Sequence, residues 1–147
     1  AEFTPPKSWE LNRGLSFTVS GHGITDEDIS LLKEVGANVT ETGRITCKKG
    51  MKTDLASVPR AVWGLISPWD IARAAVIHDH LYAVLRIYYN SGDYCHKKVW
   101  KEGRKLSDKI FLLGMKSAEP PVSKWKIYSA YWAVRVFGRW PASAKGN

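Results

Sequence analysis

Apolar and polar positions alternate near the start of the chain. Leu15, Phe17 and Val19 are separated by single polar residues, and this period of two predicts a short strand running into the Gly-rich turn around His22. From Thr25 the period lengthens. Ile29, Leu32 and Val35 fall at helical spacing behind a Thr25 cap, with Asp28 three residues on, an acidic first turn and Gly36 as stop signal. Residues 37–50 alternate again around Thr42-Gly43 and predict a hairpin closed by Gly50. The segment "MKTDLASVPRAVWGLISP" starts extended, turns at Pro59 into a short helical piece carrying Val62, Trp63 and Leu65, and ends at Pro68. Three long helical stretches follow. Asp70 caps the first, to about Tyr88; the second covers about 94–117, with a break allowed at Gly103; Ser123 caps the third, to about Phe137, with Gly138 and Pro141 as stops.

This order predicts an α+β fold, a small N-terminal β hairpin or sheet packed on a bundle of about three long C-terminal helices. A length of 147 residues suits one hydrophobic core, so the expectation is a single domain over 1–147. Its parts are an arm and strand at 1–23, a helix, hairpin and TDLASVP loop at 24–68, a helical part at 69–138 and a tail at 139–147. No apolar run approaches the ~20 residues needed to span a bilayer, and no signal peptide is visible in the polar start "AEFTPPKSWE".

Charge adds a class of partner. The net charge of +8 favours anionic surfaces, and the cations gather in the last third as Lys97, Lys98, Lys101, Arg104, Lys105, Lys124, Lys126, Arg135 and Arg139. Trp100, Trp125, Trp132 and Trp140 lie among them. The plain reading is a solvated basic face with its Trp residues buried behind it. The competing one is a surface that docks on an anionic membrane or cell-envelope polymer. Nucleic acid is a third, weaker partner class, since no recognised binding motif is present. Cys47 and Cys95 show no metal-binding spacing, and free thiols are at least as reasonable as a disulfide.

Candidate chemistry centres on "AAVIHDHLY". Ionisable groups inside an apolar run need partners. On a helix His78 and Tyr82 share a face, Ala74 and Ala75 one turn earlier leave room for a neighbour, and Asp79 lies about 100° round. Such a His–Asp pair can hold a metal, or act as a base beside a charged group. His80, about 200° from His78, reads as a bystander, exposed or bonded locally. In "LSDKIFLLGMK" Asp108 stands one turn before the inward face of Phe111, Leu112 and Met115. If the two helices run antiparallel it reaches His78; otherwise it is an N-cap after a break near Ser107. In "TDLASVPR" Thr53 and Ser57 suit a turn, while Asp54 needs a partner such as Arg60 or a metal.

These motifs, with "YWAVRVFG" after them, make residues 40–138 resemble domain-of-unknown-function family 1353, small proteins of phages, prophages and bacteria. By position the family's polar signature falls on Thr53, Asp54, Ser57, His78, Asp79, Tyr82 and Asp108, while 83–105 looks longer and more basic than the family's usual connection. The resemblance implies a phage or prophage origin, hence the host cytoplasm or a virion as location. HDxxY with an Asp on a facing helix is also similar to secreted phospholipases of the His-Asp type, in which the His activates water, the next Asp holds calcium and the distant Asp orients the His. That likeness would place these roles on His78, Asp79 and Asp108. The glycine-rich calcium loop and flanking cysteines of those enzymes are missing, so TDLASVP would replace the loop.

The leading expectation is therefore a metal-assisted hydrolase acting on a lipid or cell-envelope ester or amide. Its catalytic residues would be His78, Asp79 and Asp108, with Thr53, Asp54, Ser57, Arg60 and Tyr82 in binding roles. A divalent cation, calcium or zinc, would sit on Asp79, Asp54 and His78. The alternatives are a non-enzymatic virion, tail or host-protein-binding protein whose His/Asp cluster is structural, and nucleic-acid binding by the basic helices.

Overall fold

The first helix forms as its signals dictate. In α1 (Asp26–Val35) the Thr25 hydroxyl accepts from the Asp28 amide at 3.1 Å, and the Asp28 carboxylate accepts from the Thr25 amide at 3.0 Å. Gly36 ends it in the left-handed region at φ 102°, and Ile29, Leu32 and Val35 are buried. The computed structural model describes residues 9–11, 13–19, 23–53, 57–60, 62, 72–92, 95–118 and 121–143. Among these the fold is α+β, with small antiparallel sheets towards the N-terminus and four helices, three of them long and packed together.

The strands are β1 (Trp9–Glu10), β2 (Leu15–Thr18), β3 (Arg44–Cys47) and β4 (Lys52–Thr53). The hairpin expected over 37–50 is only partly realised. The turn at Thr40–Gly43 closes, with the Gly43 amide 2.9 Å from the Thr40 carbonyl, but residues 37–41 contribute a single bridge, Val39 to Ile45. β3 takes β2 as its strand partner, in the register Leu15↔Cys47 and Phe17↔Ile45. That pairing packs Leu15 and Phe17 against the core beside the buried Ile45 and Cys47, while the 37–41 arm lies along the other edge of β3 and adds the buried Ala37 and Val39. A pairing absent from the sequence reading is β1 with β4, where Trp9 faces Thr53 across the ladder. It fixes the backbone at Thr53, where the "TDLASVP" segment begins. The predicted helical piece after Pro59 lies mostly outside the described residues, as do Trp63, Leu65, Pro68 and the Asp70 cap.

α2 (Ala72–Tyr89) and α3 (Lys97–Lys116) form the main helix pair. A methyl group on Gly114 would lie 2.8 Å from the Ala74 Cβ, and one on Gly103 would lie 2.9 Å from Leu85 Cδ2. The start of α2 thus meets the end of α3 and the reverse, so the pair is antiparallel. The break allowed at Gly103 is absent: α3 is continuous, and the missing side chain there serves close approach. Asp108 is consequently a mid-helix residue and no N-cap.

α4 (Lys124–Phe137) packs Ile127, Ala130 and Val134 inward. Ser123 is at its N-cap position but makes no capping bond through its side chain. The expected tail begins later than residue 139. Residues 138–143 form turns against the helices, with Ala142 fully buried, its carbonyl accepting from Trp100 Nε1 at 3.0 Å and the Pro141 carbonyl accepting from Arg86 at 3.1 Å. Among the described residues no helix is long and apolar enough to cross a membrane.

Candidate functional site

The antiparallel pair does what the periodicity required. His78 and Tyr82, one turn apart on α2, both face Asp108 of α3. His78 Nε2 lies 2.7 Å from Asp108 Oδ1, and the Tyr82 hydroxyl donates to the same oxygen at 2.6 Å. The other oxygen, Oδ2, receives Arg135 Nη1 at 2.7 Å, with Arg104 Nη1 at 3.5 Å. Phe111 and Tyr82 enclose the imidazole, ring centres 4.7 and 4.2 Å away. His78, Tyr82 and Asp108 have no exposed surface.

The donors decide the charge of Asp108. Burial by itself pushes the carboxyl up, but the hydrogen bond and charge of His78, then the bonds from Tyr82 and Arg135, outweigh it and hold it below the usual carboxylate range. An ionised carboxylate only accepts, so Nε2 carries the proton of that bond. The Ser57 hydroxyl stands 2.9 Å from Nδ1, which accepts from it whenever the ring carries no second proton. Burial, reinforced by the charge of Asp108 and the bond to it, raises the Tyr82 phenol, so this group stays protonated and keeps donating.

Asp79, about 100° round from His78, faces β4 and the turn after it. It accepts from the Thr53 hydroxyl through one oxygen and from the Ser57 amide at 3.4 Å through the other. Six of the expected residues, Thr53, Ser57, His78, Asp79, Tyr82 and Asp108, are thus joined into one buried network. Arg60 is exposed, and Asp54 and His22 lie outside the described residues. His78 and Asp79 meet at Ser57, His78 through the hydroxyl and Asp79 through the backbone amide. Arg104 and Arg135 were not expected here. The spacing of Arg104 four residues before Asp108 was a readable signal. For Arg135, on another helix, the sequence held none.

Residues 29–134 match the model of a family described as a protein of unknown function, DUF1353, and the match covers more than two thirds of the chain. The chain belongs to the DUF1353 family. No curated protein and no solved structure matches it. The span that defines this DUF1353 protein runs from α1 nearly to the end of α4 and holds the network from Thr53 to Asp108, while Arg135 lies one residue beyond it.

Other features of the DUF1353 chain differ from the sequence reading. Trp100 is buried as expected, but Trp125, Trp132 and Trp140 are 62, 61 and 60% exposed. α4 is apolar on two opposite faces, and only one meets α3. Cys47 and Cys95 are free thiols; burial, then the charge of Asp79, pushes the Cys47 thiol up to about 12, which keeps it protonated and unreactive at neutral pH. His80 is half-buried, and its Nε2 has no hydrogen-bond partner among the described residues.

That His80 ring makes a pH prediction. Burial lowers its pKa from the ordinary 6.5, with the charge of Asp79 partly opposing. The folded state therefore resists protonation that the unfolded chain accepts. The associated stability is complete above 6.5 and is lost as pH falls from there through the depressed folded value. Asp108 acts in the same direction lower down, complete above 3.8 and lost as pH falls through its own depressed value. Thermal unfolding between pH 8 and 3 should show the midpoint declining in two steps on acidification, and His80→Gln should flatten the upper step alone. An unchanged upper step in that variant contradicts the assignment.

Proposed function

We propose that this protein is a hydrolase that attacks ester or amide bonds of anionic lipid or cell-envelope material, with His78 as general base. One observation carries the reading: His78 is held by Asp108 through Nε2, and its Nδ1 lies 2.9 Å from the Ser57 hydroxyl. A carboxylate on one ring nitrogen fixes the tautomer and raises the basicity of the other. Nδ1 takes the proton from an attacking hydroxyl, Asp108 stabilises the imidazolium that forms, and the proton then passes to the leaving group. The attacking hydroxyl is a water admitted where Ser57 Oγ now stands, or Ser57 itself. Ser57 is only 1% exposed, so a substrate reaches Nδ1 only when the turn at Ser57 draws back. Anionic lipid is favoured as substrate by the cations and exposed Trp residues of α4. A calcium or zinc ion near Asp79 would polarise the scissile carbonyl, after displacing its bonds to Thr53 and Ser57.

The closure of the network favours a second reading, in which the same bonds only lock the β part and α4 onto the α2–α3 pair, in a non-enzymatic protein. Fatty-acid release from phosphatidylglycerol vesicles, assayed with calcium, zinc or chelator, separates the two. The hydrolase reading expects release that His78→Ala abolishes. Ser57→Ala retains release if water attacks and loses it if Ser57 does. A folded wild-type protein that releases nothing under any of these conditions, or a His78→Ala variant as active as wild type, sinks the lipid hydrolase.

A further inference from the structure

We propose that the cleft between the first turns of α3 and the end of α4 is a binding site for anionic phosphate groups. The cavity holds about 470 Å³, within the ordinary range for small-molecule sites. Lys97, Lys101 and Arg104 line it from α3, Arg135 and Arg139 from α4, and Trp100 forms part of its wall. No acidic side chain lines it among the described residues. The acids collect on the other flank of α3, where Glu102 joins Asp26, Glu27, Asp28 and Glu34 of α1 around a second hollow. α3 therefore sorts charge: Lys97, Lys101 and Arg104 share one side, although like charges at that spacing repel. Bound phosphate offsets that repulsion.

Two of the cations are also preorganised. Arg104 donates to the Val134 and Arg135 carbonyls at 3.1 Å each, and Arg135 donates to Asp108 at 2.7 Å, so both guanidinium groups are held in place before any ligand arrives. Planar guanidinium forks with flanking ammonium groups match phosphate oxygens, and Asp108 offsets only one of the positive charges. The phosphate comes from a soluble compound or from a lipid headgroup; the recognition chemistry is the same. The site stands apart from the hydrolase reading, since the cleft opens on the Arg135 side of Asp108 and Ser57 lies on the far side of His78.

The test uses inorganic pyrophosphate in calorimetry and thermal-shift measurements, with vesicles of phosphatidylglycerol or phosphatidylcholine in a parallel sedimentation assay. Lys101→Glu/Arg139→Glu changes two exposed positions that take no part in the Asp108 network, and Lys126→Glu is a charge control outside the cleft. Pyrophosphate binding that weakens with added salt, falls about tenfold or more in the double variant and survives in the control supports a soluble phosphate ligand. Binding to phosphatidylglycerol vesicles alone, with the same sensitivity, supports a headgroup. The proposal is overturned if neither binds, or if the double variant and the control behave alike.

Discussion

Asp108→Ala costs about 3–5 kcal/mol of folding stability, the range for removing one partner of a buried charge network. That is a large share of the roughly 5–15 kcal/mol that holds a domain folded. The carboxylate has no exposed surface and receives His78 and Tyr82 on one oxygen and Arg135 on the other. Alanine leaves three donors in a site that offers them nothing else, and all three, two on α2 and one on α4, are held to α3 through this residue. Asp108→Asn separates architecture from chemistry. It keeps the shape and one acceptor oxygen, so it destabilises less than alanine, but it no longer fixes the His78 tautomer or stabilises an imidazolium. If His78 is a catalytic base, hydrolysis by the asparagine variant drops by about 10²–10⁴-fold. Urea unfolding of both variants, with vesicle hydrolysis of the asparagine variant, checks the pair of outcomes. Equal stability of Asp108→Ala and wild type contradicts the network; full activity in Asp108→Asn contradicts the mechanism and leaves the network standing.

The core of this site was legible because it depends on helical period. His78 and Tyr82 share a face by their spacing, and a facing helix with one acid among apolar residues has few other uses for it. What could not be read was set by contacts distant in sequence. Gly103 looks like a helix breaker on propensity alone, and becomes an asset only because Leu85 packs over it. The two residues of β1 are too few to show a period, yet their pairing with β4 fixes the backbone that carries Thr53 to Asp79. The Trp residues of α4 misled for the opposite reason. Aromatic bulk argues for burial, but Ile127, Ala130 and Val134 already fill the one face that meets α3, so Trp125 and Trp132 are left outside. Arg135 looked like part of a solvated basic run, and it is the strongest donor to Asp108 from α4.

Gly138→Ala makes a test in which two physical effects have opposite signs. Gly138 has φ of −70° in the ordinary helical region, so its backbone needs no glycine. On conformational grounds alone alanine there should stabilise by about 0.4–1 kcal/mol, because it restricts the unfolded chain. The contacts argue otherwise. A methyl group at this position would run into the Tyr82 hydroxyl and the Val134 carbonyl and come within 2.9 Å of Tyr82 Cε2. The phenol has no room to retreat: Tyr82 has no exposed surface, and its oxygen is tied to Asp108 at 2.6 Å. The Val134 carbonyl is likewise held, accepting from the Gly138 amide at 2.8 Å and from Arg104 at 3.1 Å. Overpacking of this kind costs about 1–3 kcal/mol, so the contact wins and the variant is less stable than wild type. Tyr82→Phe removes the hydroxyl and with it part of the clash, at the expense of one hydrogen bond to Asp108. In that background Gly138→Ala should therefore cost clearly less, a coupling that a double-mutant cycle of urea midpoints measures directly. Additive effects would mean that the end of α4 does not rest on Tyr82, and that α4 is held to the His78–Asp108 network by its arginine contacts alone.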